Sequence, residues 1–129
     1  MEKIRVIIER GDDGIYTAVP QHGYKIGFLG CGKTVQEAMD DLENSHKEAK
    51  EFMPELPDFE YDITFDVASF LQYIKNFVTL TGLTRITGVN NKQLSHYLTG
   101  ESKPSAATVA KIQNGVQSFL RRYENIAFV

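Results

Sequence analysis

The chain has 129 residues, of which 42% are hydrophobic and 24% charged, as in folded rather than disordered proteins. Its length fits one ordinary domain or two small ones. No apolar run is long enough to span a membrane, and the single cysteine, Cys31, excludes an intramolecular disulfide. No apolar segment follows the N-terminal charges, so we expect a cytoplasmic protein that does not contact the membrane.

Charge is distributed unevenly along the chain. Residues 1–60 contain 7 Lys and Arg against 13 Asp and Glu, a net charge of −6, whereas residues 61–129 contain 7 against 4, a net charge of +3. This asymmetry predicts two parts that meet partners of opposite charge.

The first half is predicted to form three strands, a helix and a fourth strand. The strands are expected at residues 4–9, 15–19, 24–29 and 59–65. A Gly-Asp turn at 11–14 joins the first two as an antiparallel hairpin. Thr34 and Glu37 have the spacing of a capping box, which predicts a helix over residues 34–52 with Phe52 on its apolar face.

The turn before this helix matches a phosphate-binding pattern. Residues 27–34 read GFLGCGKT and fit G-x-x-x-x-G-K-[ST], in which backbone N–H groups and a lysine surround phosphates. Nucleotide enzymes with this loop use a parallel sheet, whereas the short connections here predict antiparallel strands. We therefore favour a sharp strand-to-helix turn capped by Thr34, with nucleotide binding as the alternative.

The second half is predicted to be entirely helical. Asp66 is expected to cap a helix with an apolar stripe. The stripe consists of Phe70, Leu71, Ile74, Phe77 and Val78. Two short helices joined at Gly88 follow over residues 80–98, and Ser105 caps a last helix in which Gly115 predicts a bend or a break. The domains are thus expected at 1–65 and 66–129.

The apolar face of the last helix has two interpretations. Val116, Phe119, Leu120 and Tyr123 recur at helical spacing. They could form the surface on which two copies dimerise, or pack inside the domain as core.

The second short helix carries the candidate functional residues. Leu94, Tyr97 and Leu98 are predicted to face inward, and Asn90 to cap the helix. The candidate DNA-binding residues are Asn91, Lys92, Gln93, His96 and Lys103. Asn and Gln side chains can make bidentate contacts with adenine in the major groove, whereas Lys92 and Lys103 are expected to contact phosphates. Ordinary surface residues on a packing helix are the alternative.

No catalytic or metal-binding pattern is present elsewhere. His22, His46 and His96 lie far apart, and Cys31 has no evident base partner. We therefore predict a binding protein without a cofactor or metal, not an enzyme.

The order of motifs in the first half resembles that of HicB-like antitoxins. The shared features are the turn at residues 11–14, Pro20 after the second strand, and the helix start GKTVQEA at residues 32–38. Residues 87–97 and the following Gly100, Lys103 and Pro104 resemble the Cro/repressor-like helix-turn-helix that some of these antitoxins carry. Thr84 and Thr87 depart from the small or apolar residues usual in that motif.

This resemblance implies a fold and a role. The fold would be α+β, with an N-terminal β-β-β-α-β domain of degenerate ribonuclease-H-like type, lacking catalytic carboxylates, followed by an all-α helix-turn-helix domain. The first domain would neutralise a small, basic, mRNA-cleaving HicA-like toxin. The second would bind operator DNA as a homodimer or higher homo-oligomer and repress its own operon.

Two other functions remain open. One is a stand-alone helix-turn-helix regulator whose N-terminal domain binds a ligand or dimerises. The other, less favoured, is a protein that binds nucleotide through residues 27–34.

Overall fold

The computed structural model describes all 129 residues and contains four strands and five helices. In chain order these are β1 (Glu2–Arg10), β2 (Tyr16–Pro20), β3 (Gly30–Gly32), α1 (Val35–Phe52), β4 (Phe59–Phe65), α2 (Val67–Ile74), α3 (Leu80–Thr87), α4 (Asn91–Thr99) and α5 (Ala106–Tyr123). The chain divides into two compact units, Met1–Tyr73 and Ile74–Val129. This division lies one helix beyond the expected boundary at 65/66, because α2 belongs mostly to the first unit.

The first unit is a mixed four-stranded sheet with the order β3-β2-β1-β4. β1 pairs antiparallel with β2 and parallel with β4, and β2 pairs antiparallel with β3. Alternate residues of β1, at Ile4, Val6 and Ile8, are buried together with apolar residues of α1. The combination of this sheet with five helices confirms the expected α+β class.

The expected third strand at residues 24–29 is wrong. Tyr24, Ile26 and Phe28 do point toward the core in alternation, but their backbone pairs with no strand. Strand pairing occurs instead at Gly30–Gly32, where Gly30 faces Ala18. A Cβ atom at Gly30 would lie 2.0 Å from the carbonyl oxygen of Ala38, so only glycine lets this strand pass beneath α1.

Two details of α1 and α2 also differ from expectation. Phe52 is 85% exposed, because the buried face of α1 continues through Ala49 to the partly buried Met53. The stripe expected to extend to Val78 is interrupted, since α2 ends at Ile74 and Thr79 caps a new helix.

α5 runs without interruption from Ala106 to Tyr123, so a break at Gly115 is wrong. A Cβ atom there would lie 2.5 Å from the carbonyl oxygen of Ile86. The glycine therefore serves the close approach of α3 and α5.

The second unit has a small core formed by α3, α4 and α5. Its buried apolar residues are Leu83, Val89, Leu94, Tyr97 and Ile112. No helix of the structure is both long enough and apolar enough to cross a bilayer.

Candidate nucleic-acid interface

α4 is held in place by a cap at its start and an apolar back. The side chain of Asn90 accepts a hydrogen bond from the backbone N–H of Gln93 at 2.8 Å, as expected for an N-cap. Gly88 precedes it with a φ of 75°, a left-handed conformation that glycine adopts without strain. Leu94 and Tyr97 are buried, so the opposite face of α4 is directed outward.

The predicted DNA-binding residues differ in how exposed they are. Asn91, Lys92 and Gln93 are exposed on the first turn of α4, and Lys103 is exposed in the loop before α5. His96 lies one turn further along and is half-buried. The structure thus brings three candidates together as exposed residues at the start of one helix.

His96 has a partner that the sequence pattern does not indicate. Its Nε2 atom lies 3.4 Å from a carboxylate oxygen of Glu101, in the loop after α4. The backbone carbonyl of His96 also accepts a hydrogen bond from the N–H of Ser102. The Nε2 atom of His96 must therefore leave or share Glu101 in order to contact a base.

Thr81 is a second residue that sequence reasoning missed. Its hydroxyl accepts a long hydrogen bond, 3.4 Å, from the Asn91 side-chain amide. Thr79 caps the same helix by accepting from the N–H of Gly82 at 3.0 Å. The beginning of α3 is therefore next to the beginning of α4, so donors from two helix N-termini lie on the same side of the unit. No periodicity links residues ten positions apart, so the sequence gives no signal for this contact.

The two threonines of α3, Thr84 and Thr87, differ in their hydrogen bonding. The buried hydroxyl of Thr87 donates to the carbonyl of Leu83 at 2.7 Å and accepts from the N–H of Val89. This hydroxyl therefore ties α3 to the turn that follows. The Thr84 hydroxyl is buried without a hydrogen-bond partner.

The difference in net charge is larger between the two compact units than between residues 1–60 and 61–129. Met1–Tyr73 contains 7 Lys and Arg against 15 Asp and Glu, a net charge of −8, and Ile74–Val129 contains 7 against 2, a net charge of +5. The candidate residues thus lie in the basic unit, where the field attracts phosphate.

The phosphate-loop-like turn is occupied by the protein's own carboxylates. The N–H of Lys33 donates to Glu37 at 2.8 Å, and the N–H of Cys31 donates to Asp41 at 2.9 Å. Thr34 accepts from the N–H of Glu37, as the predicted capping box requires, but the Glu37 carboxylate binds the N–H of Lys33 and not that of the cap residue Thr34. Two amides that a phosphate would need are therefore already bonded.

A shallow cavity of about 220 Å³ lies between α1 and β4 in the first unit. The residues that line it are Glu43, His46, Lys47, Lys50, Asp58, Phe59 and Tyr61. His46 is buried, and its Nε2 lies 2.9 Å from the carbonyl oxygen of Pro57. Burial raises the pKa of the Tyr61 hydroxyl, and the Lys50 ammonium, bonded to Asp58 at 2.7 Å, lowers the pKa of that carboxyl.

Comparison with protein-family models, with curated proteins and with solved structures gave no match to this chain.

Proposed function

We propose that this protein is the antitoxin of a HicAB-like toxin–antitoxin system, which neutralises a small mRNA-cleaving toxin and represses its own operon. The observation that carries the proposal is the joining of two oppositely charged units in one chain, the basic one displaying Asn91, Lys92 and Gln93 on one helical turn. An exposed amide pair on a helix with a buried apolar back suits the major groove of DNA.

The proposed DNA contacts divide into two kinds. Asn91 and Gln93 would contact base edges, with each bidentate pair contributing about 1–3 kcal/mol of discrimination. Lys92 and Lys103 would contact phosphates, which orient the unit without selecting sequence. Two short helices, α3 and α4, joined by a turn at Gly88, support this assignment, and two copies would occupy half-sites about one helical turn apart.

The first unit would bind the toxin. Its element order, β-β-β-α-β, supports the ribonuclease-H-like topology that the resemblance implies. Six acidic residues of α1 are exposed, namely Glu37, Asp40, Asp41, Glu43, Glu48 and Glu51. Together with the net charge of −8 they would speed encounter with a basic toxin more than they would strengthen the final complex.

The DNA role is tested by selection from a library of randomised duplexes with the full chain, followed by fluorescence anisotropy on a selected duplex. We expect a two-fold symmetric site and an affinity that falls steeply as salt rises, because phosphate contacts release counterions. Lys103→Ala should weaken all sequences about equally. Absence of any selected sequence, with binding no stronger than that of an acidic control protein, would refute this role.

The toxin role is tested by co-expression of the full chain with the product of the neighbouring gene. We expect a stable complex in which the partner no longer cleaves mRNA. As a matched pair, charge reversal at Asp40 and Glu48 should slow association, whereas Lys92→Ala in the other unit should not. A neighbour that is not basic or does not bind the chain would contradict the assignment.

A stand-alone regulator is the second candidate, in which the cavity beside His46 would hold the ligand. Its volume of about 220 Å³ is below the roughly 300–1,000 Å³ of typical ligand pockets, so any ligand would be small. Screening small metabolites for a change in thermal stability tests this function. A ligand whose effect is lost in Tyr61→Phe, and which changes DNA affinity, would favour it over the antitoxin.

Nucleotide binding at residues 27–34 is the least supported function, because Glu37 and Asp41 occupy the amides of the turn. Mg-ATP should leave the melting temperature unchanged in both the natural chain and Lys33→Ala. Micromolar affinity that Lys33→Ala abolishes would reverse this conclusion.

A further inference from the structure

A carboxylate of the basic second unit lies beside a candidate DNA-binding residue. Ile74–Val129 contains only two acidic residues, Glu101 and Glu124. A carboxylate oxygen of Glu101 lies 3.4 Å from the Nε2 atom of His96. A negative charge close to DNA repels phosphate and lowers the affinity for every sequence. A carboxylate in this position therefore favours DNA binding only if it contributes to the choice of sequence.

The turn that ends α4 places Glu101 next to His96. Gly100 has a φ of 79°, which glycine adopts without strain, so the chain reverses direction directly after the helix. The carbonyl of His96 accepts hydrogen bonds from the N–H of Ser102 at 3.3 Å and from the hydroxyl of Thr99 at 3.2 Å. Glu101 lies between these bonded residues, so the backbone of the turn brings its carboxylate to the histidine.

His96 lies on the outward side of α4. It follows Lys92 by four residues and Gln93 by three, so the three side chains are neighbours on one face of the helix. The side chain of His96 is 37% exposed and that of Glu101 is 66% exposed. The two side chains are therefore accessible one helical turn beyond Lys92 and Gln93. We call them the His96–Glu101 pair.

The carboxylate determines which hydrogen-bonding groups the pair presents. A carboxylate accepts hydrogen bonds and does not donate them, so it favours the form of the neutral imidazole that has its proton on Nε2. The Nδ1 atom of His96 is then an acceptor. The second carboxylate oxygen of Glu101 is an acceptor as well. With its one donor directed to Glu101, the pair presents acceptors to a ligand.

We propose that the His96–Glu101 pair selects a base with an exocyclic amino group in the major groove, cytosine or adenine, over guanine or thymine. Cytosine presents its N4 amino group and adenine its N6 amino group, whereas guanine and thymine present only acceptor atoms there, apart from the thymine methyl group. Cytosine fits best, because adenine also has the N7 acceptor beside its amino group. The inference rests on the proposed operator binding and adds the class of base that Glu101 helps to select.

Fluorescence anisotropy of the full chain with a selected duplex and its single-base variants tests the proposal, at about pH 8.5, above the range in which histidine ordinarily titrates. We expect one position where cytosine or adenine is preferred to guanine and thymine by about tenfold. Glu101→Gln should reduce this preference to about twofold or less, because an amide donates as well as accepts. It should also raise the affinity for every duplex, because a negative charge is removed. A purely structural role would not make binding tighter and less selective together.

Glu124→Gln is the matched control. It removes the same charge from the same unit, but at the cap that ends the 18-residue helix α5, about 27 Å from the start of that helix. It should leave the base preference unchanged. His96→Ala should lose the same preference as Glu101→Gln, and the double variant should lose no more, because residues that act as one unit are not additive. Thermal unfolding of each variant checks that the fold is intact.

The orientation of the imidazole is measured in the absence of DNA. Nitrogen chemical shifts of the full chain at the same pH should show His96 with its proton mainly on Nε2. Glu101→Gln should weaken this bias, whereas Glu124→Gln should not. A His96 ring with its proton mainly on Nδ1 would overturn the proposal.

The binding measurements separate failure of this proposal from failure of the proposed function. If the natural chain selects a sequence and Glu101→Gln leaves every base preference unchanged, the role of the pair is refuted and operator binding stands. If the affected position prefers guanine or thymine, the assigned chemistry is refuted. If the natural chain selects no sequence, operator binding is refuted and this inference with it.

Discussion

The starts of α1 and α4 are built alike, but their polar side chains have different uses. Each helix follows a glycine and is capped by a side chain that accepts the N–H three residues on, at Thr34 and at Asn90. At α1, Glu37 returns to the backbone of Lys33. At α4 the corresponding residue, Gln93, is exposed and makes no hydrogen bond through its side chain. The same type of cap thus leaves the Glu37 side chain bonded to the backbone at the start of α1, and leaves the Gln93 side chain at the start of α4 available to a partner.

The largest expected loss of stability is that caused by a substitution at Gly30, which lies beneath α1. Gly30→Ala should destabilise the first unit by about 3 kcal/mol, because backbone atoms of Ala38 and Leu42 must move. Hydrogen exchange of peptides from each unit measures this loss. Gly23→Ala is the control, since a Cβ there meets nothing within 4 Å and the change should be within about 0.5 kcal/mol. Equal effects of the two substitutions would contradict the close packing beneath α1.

Gln93 and Glu37 occupy the same position in the two helix starts, but alanine substitutions at these residues should have opposite effects. Gln93→Ala should leave stability unchanged but lose about 1–3 kcal/mol of discrimination at one base pair of a selected duplex. Glu37→Ala should do the reverse, lowering the stability of the first unit by about 1 kcal/mol because the N–H of Lys33 loses its acceptor. Urea unfolding and anisotropy with single-base variants of the duplex measure both. If Gln93→Ala destabilises the protein like Glu37→Ala, the contrast fails.

Within the second unit, valine substitutions at two threonines should change stability in opposite directions. Thr84→Val should stabilise by about 1 kcal/mol, because it removes a buried hydroxyl without a partner. Thr87→Val should destabilise by about 1–2 kcal/mol, because Val89 loses its acceptor. Thermal unfolding of the two variants measures the difference, and effects of the same sign would show that these hydroxyls do not differ as described.

The smallest expected effect concerns pH and the first unit. Lys50 lowers the pKa of Asp58 below its ordinary value of 3.8, so this pair stabilises the fold above that value. The stabilisation is lost as pH falls through the lowered pKa. Asp58→Asn should therefore be slightly less stable than the natural chain at neutral pH, with the gap closing in acid. Glu55→Gln, at another exposed carboxylate of the same unit, is the matched control.

The features of this structure that depend on neighbouring residues could be predicted from the sequence, whereas those that depend on long-range contacts could not. The caps at Thr34, Asn90 and Ser105 are confirmed, because each depends on residues three positions apart. The strand at 59–65 is confirmed for the same reason, since alternation is local.

The roles of Gly30 and Gly115 could not be predicted, because each glycine admits another backbone, which no local pattern records. For the candidate interface, the outward residues of α4 follow from helical spacing. The contacts of Thr81 with Asn91 and of Glu101 with His96 depend on how neighbouring elements pack.

The two edge strands of the sheet differ in what they offer a neighbouring molecule. In β3, the N–H of Cys31 is already bound by Asp41, whereas β4, the other edge strand, has seven residues and pairs only with β1. The unpaired backbone groups of an edge strand are a template for strand addition from another chain. Under stress, aggregation of this protein should therefore grow from one side only, opposed there by the charges of Glu60 and Asp62.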